Sequence, residues 1–295
     1  MALRAGTLYN IYKEELMIKA NYHTHSCYCD GKESLRRYVE TAVERGFTHL
    51  GFSGHAPVPF ENTFAIDGER YLDYCAEVRR LKVEFADRLK IFLGLEIDYI
   101  PGVLDNFEEL ITTGGLDYCI GSVHLVNKTR GGDLWFIDGS KQQSYDEGLS
   151  RVFDGNIKEA VRAFFRQTNE MIASQRPSIV GHFDKVAMHN KERYFGTDED
   201  WYLALVRETL ELIKECGCVC EINTRGLYKG RYSDFYPATR IIRIMNTMDI
   251  PAVVSTDAHQ PDDLDKFEGV YTLLREVGYK RLVYFDGTWR EMKVL

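Results

Sequence analysis

His23 and His25 flank a single threonine where an apolar run of the sequence gives way to a loop. Side chains along a strand point alternately to opposite faces, so the i, i+2 spacing presents both imidazoles to one side, where they can grip one cation. The same ending recurs along the chain. FSGH closes on His55, GLEID carries Glu96, IGSVH ends at His124, IVGH ends at His182, and VVSTDAH supplies Asp257 and His259. Six of the eight histidines thus fall at strand ends, and Asp30 adds an oxygen donor shortly after the first pair. Imidazole and carboxylate donors with no evident thiolate suit zinc, manganese or iron. The candidate ligands are His23, His25, Asp30, His55, Glu96, His124, His182, Asp257 and His259. They are too many for one ion and fit two or three, bridged by a carboxylate. His49, inside a strand, and His189, in a polar loop, are assigned to no ion. Glu221 and Asn223 share a strand face, and Asn223 is placed to orient a ligand or a substrate.

Positioning so many donors on one rim takes a repeated strand–helix unit. Short apolar runs alternate with longer amphipathic ones, as in successive βα units. Strands are expected over residues 18–23, 48–53, 91–96, 118–124, 178–182, 219–223 and 252–256, with a closing run at 281–285. Helices are expected over 34–45, 69–88, 103–112, 157–174, 201–215, 238–248 and 264–277. The first starts at Ser34 as N-cap and stops at Gly46. Seven repeats without a domain-sized linker predict a single barrel-like α/β domain, a class that runs to about 250 residues plus insertions. An open doubly wound sheet would gather its ligands at one switch point, whereas here nearly every strand end carries a polar residue. Residues 1–16 are read as an extension and residues 17–295 as the domain. Residues 127–155, rich in Gly, Asp and aromatics, form an insertion after the fourth strand and are expected on the rim as a cap over the pocket.

A net charge of −8 argues against a broad phosphate-backbone surface, which would show a basic stripe. No apolar run approaches the ~20 residues of a membrane span, and no signal peptide opens the chain. Seven cysteines, an odd number, point to free thiols in a reducing, cytoplasmic setting. The i, i+2 spacings of Cys27/Cys29 and Cys216/Cys218/Cys220 depart from a zinc knuckle.

The ordered series HTHS, FSGHAP, GLEIDYIPG, GSVHLV, VGHFDKV, EINTRG and STDAH resembles the polymerase-and-histidinol-phosphatase (PHP) superfamily, and most of all its histidinol-phosphate phosphatase branch. The resemblance covers about Tyr22 to Asp263. It implies a distorted (β/α)7 TIM-like barrel with a trinuclear metal centre. By motif, it implies that His23, His25, Glu96 and Asp257 hold one ion, and that Glu96 bridges to a second held by His124 and His182. Asp30, His55 and His259 then hold a third, with Asp30 standing where some members carry histidine.

Two or three divalent cations outweigh the charge of Glu96, Asp257 and Asp30, so the pocket attracts a phosphomonoester dianion although the whole chain is acidic. A water bridging two of the ions would approach neutrality in pKa and attack phosphorus in line. Arg225 is the candidate phosphate clamp, since a guanidinium engages two oxygens at once. Asn223 and Lys229 are further substrate-binding candidates, and Arg231 lies close by. Asp257 or a water would protonate the leaving oxygen, with His259 as a second candidate. The expected reaction is hydrolysis of L-histidinol phosphate, a small-molecule step of histidine biosynthesis. The alternatives are a nucleotide or oligonucleotide-end phosphoesterase of the same superfamily, an amidohydrolase-like two-metal hydrolase, and a metal-binding regulatory subunit. The acidic balance weighs against the first. The absence of a lysine ending strands three to five weighs against the second, and the full ligand set against the third.

Overall fold

In the computed structural model, which describes residues 18–292, short apolar runs pair in parallel because each is covered on both sides. The first half runs β1 (Ala20–Asn21), α1 (Leu35–Glu44), β2 (His49–Phe52), α2 (Tyr71–Glu84), β3 (Lys90–Asp98), α3 (Phe107–Gly114) and β4 (Tyr118–Ser122). An excursion follows, with β5 (Leu125–Asn127), β6 (Leu134–Phe136) and α4 (Gln142–Phe153). The second half holds α5 (Ile157–Gln175), β7 (Ile179–Val180), α6 (Asp200–Cys216), β8 (Val219–Asn223), α7 (Arg225–Tyr228), α8 (Thr239–Thr247), β9 (Ala252–Ser255), α9 (Val270–Val277), β10 (Leu282–Phe285) and β11 (Trp289–Met292). The sheet order is β1-β2-β3-β4-β7-β8-β9-β10-β11, parallel from β1 to β10, with β11 antiparallel.

The seven expected strands, β1 to β4 and β7 to β9, and the closing run β10 form eight parallel strands of the expected distorted barrel, with its ladder left open. Beside the candidate site a parallel bridge, Thr24–Ala258, joins the chain just past β1 to the chain just past β9. There His25 N–H donates to Ala258 O at 2.8 Å, and Ala258 N–H donates to His23 O at 2.9 Å. Further down, β10, paired with β9, comes up against the chain just past β1. The Tyr22 hydroxyl donates to Phe285 O (2.8 Å) and accepts from Phe285 N–H (3.0 Å), so a side chain does the work of a ladder. Tyr22, Phe92, Tyr118, Ile179, Val219, Val253 and Phe285 fill the barrel below the site, and the helices pack a second, larger core outside it. Room for the Tyr118 ring comes from Gly94, where an added Cβ would lie 2.6 Å from the ring.

α1 starts where expected, with the Ser34 side chain accepting from Arg37 N–H, and ends just before Gly46 at φ +70°. Three features differ from the expectation. Residues 127–155, expected only as a rim insertion with no elements assigned, contain β6 and α4 and complete a hairpin with β5. Here Gly148 hides an otherwise amphipathic run because Trp135 lies against it, 2.5 Å from where a Cβ would stand. The helix expected over 264–277 begins only at Val270, because Gly269 adopts φ +81°. β11 was not anticipated. The expected extension, residues 1–16, lies outside the described residues.

Candidate metal centre

His23 and His25 leave the end of β1 on one face, their rings 5.2 Å apart. The orientation of His23 is set from behind by β8. Its Nδ1 lies 2.6 Å from Glu221 Oε1, which leaves Nε2 facing the barrel mouth. Glu221 also accepts the Ser255 hydroxyl on Oε1, and the His182 backbone N–H on Oε2 at 2.8 Å.

Glu96, carried by β3, stands at the centre. Oε2 lies 3.1 Å from His23 Nε2, 3.2 Å from His55 Nδ1 and 3.5 Å from His25 Nε2. Oε1 lies 2.8 Å from His182 Nε2 and 3.6 Å from His124 Nε2, and accepts the Ser122 hydroxyl at 2.7 Å. One carboxylate thus faces five imidazoles, some on each oxygen. His124 is held like His23, its Nδ1 lying 2.8 Å from Asp98 Oδ1.

Asp257 follows β9 in the left-handed region, φ +52°, a conformation that needs support from neighbours. Its carbonyl accepts from Arg225 Nη1 at 2.6 Å and Asn223 Nδ2 donates to Oδ2 at 3.4 Å. Oδ1 lies 3.3 Å from His259 Nδ1 and 3.4 Å from His25 Nε2. Asp30 closes the set, with Oδ2 3.1 Å from His259 Nε2 and Oδ1 3.6 Å from His25 Nδ1. His259 stacks on His25 with ring centres 4.0 Å apart.

His23 Nε2, His25 Nε2, His55 Nδ1, Asp30 Oδ1 and Asp257 Oδ1 are buried and make no hydrogen bond. Buried polar atoms left in this way are costly, and a shared cation satisfies several at once. Donor atoms converge in four overlapping groups: His25, Asp30, His55 and His259; His23, His182 and Asp257; His23, His25 and Glu96; and His55, Glu96 and His124. All nine candidate ligands fall within these groups. The Asp30–His55–His259 group reproduces one expected triad, with His25 added, while His182 groups with His23 and Asp257 rather than with His124. The donor set and its unpaired atoms fit divalent metal ions.

The electrostatics agree. Burial works against ionisation of Glu96, but His23, His55 and His124 pull its carboxyl well below the usual range. Asp257 is depressed likewise, against burial, by Arg225 and His23. Burial takes His25 down to about 4, whereas the carboxylates of Asp98 and Asp138 override burial at His124 and lift it to about 9.

A cavity of about 280 Å³ opens over this cluster. Arg225, Arg231, Lys185, Asp138, Phe64 and Phe136 line its remaining wall, the two phenylalanines stacked with ring centres 6.1 Å apart. Lys229 is not in that wall, because its ammonium pairs with Asp263 Oδ1 at 2.9 Å. Asn223 is fully buried beneath it, accepting Arg225 N–H at 2.9 Å and steadying Asp257. His49 stacks on Phe92 at the far end, and His189 Nε2 lies 2.7 Å from Gly139 O. Among the described residues no cysteine joins a donor group, and Cys29, 3.6 Å from His25 Nδ1, is raised to about 11 by burial. The sequence reading overlooked Asp138 and Lys185. Lys185 ends no strand, yet it reaches the site from a 3-10 turn three residues past His182.

The family model described as the PHP domain matches residues 21–225. A histidinol-phosphatase of Bacillus subtilis is 28% identical over 263 residues, covering 84% of this chain and 96% of that one. The solved histidinol phosphate phosphatase of Lactococcus lactis, complexed with zinc, L-histidinol and phosphate, superposes with a TM-score of 0.64 at 22% identity, covering 92% of this chain and 99% of that one. HisK of Listeria monocytogenes superposes with a TM-score of 0.74, also at 22% identity, covering 86% of this chain and all of that one.

Proposed function

The chain belongs to the PHP domain family, and from that premise we propose that it is a histidinol-phosphatase, a metal-dependent phosphomonoesterase that releases phosphate from L-histidinol phosphate. The observation that carries this reading is the Glu96 carboxylate set among five imidazoles at the floor of a small cavity walled by arginines. Two or three divalent ions, zinc, manganese or iron, are held by His23, His25, Asp30, His55, Glu96, His124, His182, Asp257 and His259. When bound, such ions supply an activated water and positive charge opposite the phosphoryl oxygens.

The remaining work falls to the chain. Glu221 and Asp98 fix the tautomers of His23 and His124, so that both present Nε2 to the centre. Arg225, anchored on the Asp257 carbonyl, offers its guanidinium to the phosphate. Asp257 is held ionised, and His259 is kept neutral by burial and by Arg225. Both line the cavity beside the candidate ions, so Asp257, His259 or a water gives the leaving oxygen its proton. Asn223 positions Asp257 and Arg225 instead of touching substrate.

A cavity of about 280 Å³ suits a phosphate with a small head group better than a nucleic-acid strand. A nucleotide or oligonucleotide end is the competing substrate. Seven free thiols accord with a cytoplasmic setting, and no helix among the described residues is long and apolar enough to cross a membrane. We read residues 17–295 as one domain. The test is phosphate release from a panel of histidinol phosphate, nucleotides and short oligonucleotides, with metal analysis of the same sample. Preference for histidinol phosphate with bound metal is expected; preference for a nucleotide overturns the substrate and leaves the chemistry standing.

A further inference from the structure

We infer that Lys185 is a second cationic contact of the substrate's phosphate, with Asp138 as the residue that positions it. The inference rests on the phosphomonoesterase reading above. The Lys185 side chain is only 8% exposed, and its Nζ lies 2.8 Å from Asp138 Oδ2. A second contact, at 3.4 Å, is with His124 Nε2. That nitrogen is the one His124 turns to the centre, because its Nδ1 faces Asp98.

His124 Nε2 belongs to the donor atoms that would hold a cation, so in the loaded protein it offers the Lys185 ammonium no acceptor. An ammonium has three N–H donors and accepts nothing. Asp138, its carboxylate partner, is shared with His124, 3.7 Å from Oδ2. A buried ion pair is a poor source of stability, so a lysine kept in this place needs another reason. An anion in the cavity supplies it. Arg225 leans on Asp257 at the His259 side of the cluster, and Lys185 leans on Asp138 at the His124 side. Both line the cavity, so a phosphoryl group over Glu96 meets a cation on each flank.

The test uses metal-loaded protein. It measures inorganic phosphate binding by calorimetry, product inhibition and metal content for Lys185→Met, Lys185→Arg and Asp138→Asn. Loss of one charge-assisted hydrogen bond is expected to weaken phosphate about 30-fold in Lys185→Met at unchanged metal content. Lys185→Arg, which keeps the charge, is expected to stay within about threefold, and Asp138→Asn to lose about tenfold in phosphate binding at unchanged metal content. Phosphate binding by metal-replete Lys185→Met within about twofold of the parent protein overturns the inference. If Lys185→Met does not fold, Asp138→Asn decides, and parental phosphate affinity there overturns it too. A parent protein that binds phosphate through Lys185 but does not turn over histidinol phosphate sinks only the substrate assignment.

Discussion

Glu221 never reaches the cavity, but it fixes both the ring of His23 and the backbone of His182. Replacing it with Gln keeps the shape and removes the charge that orients His23, so metal affinity should fall about 10- to 100-fold in chelator competition. An unchanged affinity would show that His23 orients itself. His25→Ala removes a donor shared by two groups and should abolish turnover through metal loss, read by elemental analysis. Arg225→Ala should chiefly raise KM, and unaltered steady-state kinetics would remove Arg225 from phosphate binding. Eight of the nine candidate donors were legible because each lies at or just past the end of an apolar run, where a histidine or carboxylate has few other reasons to stand, and Asp30 by its place in the loop after the first pair. Lys185 and Asp138 were not, since a lysine in GHFDK and an aspartate in a Gly-rich insertion look like ordinary loop residues until the chain folds. Lys229 was read as a lesser candidate than Arg225, and the tertiary pairing with Asp263 turns it away from the cavity.

At the level of elements, the insertion is a packed unit that brings Asp138 to the cavity. Trp135 on β6 is fully buried, lies 4.7 Å from the Tyr145 ring on α4, and donates its indole N–H to Tyr145 O at 2.9 Å. Trp135→Ala should cost about 3–5 kcal/mol in urea unfolding, as other large-to-small core changes do. A loss under about 1 kcal/mol would mean that the unit packs weakly on the barrel. The parallel strands and most helices were readable from periodicity, capping and length. The hairpin and α4 were not, because a glycine required by a neighbouring ring breaks the pattern that marks a helix. The late start of α9 has the same kind of cause in Gly269, whose backbone conformation the sequence does not declare.

For the whole molecule, acidity sets a balance between protons and metals. In the metal-free chain His124 keeps its proton up to about pH 9, against an ordinary 6.5. The folded form then holds a proton that the unfolded form has released, so stability should fall as pH rises from 6.5 to about 9. Asp184 acts in the same direction, because burial raises its carboxyl to about 8 while the unfolded group is already ionised. Metal-loaded protein should behave oppositely, since its ligands bind cations only when deprotonated. Urea midpoints with chelator and with zinc should therefore diverge between pH 6.5 and 9, and parallel curves would contradict this. The barrel as a whole was foreseeable from repeated βα units. Its open ladder was not, because that depends on a tyrosine hydroxyl meeting one backbone residue far along the chain.

The ring edges meet through residues remote in sequence. Asn21 donates to the Thr256 hydroxyl at 2.6 Å across 235 positions, next to ligands on both sides. Bringing such distant segments together is slow compared with local helix formation. During refolding from denaturant, helical signal should recover well before a zinc-sensitive dye reports sequestration. A newly made chain would thus carry its first histidines for most of its synthesis without being able to retain an ion, and loading would be a late event in maturation.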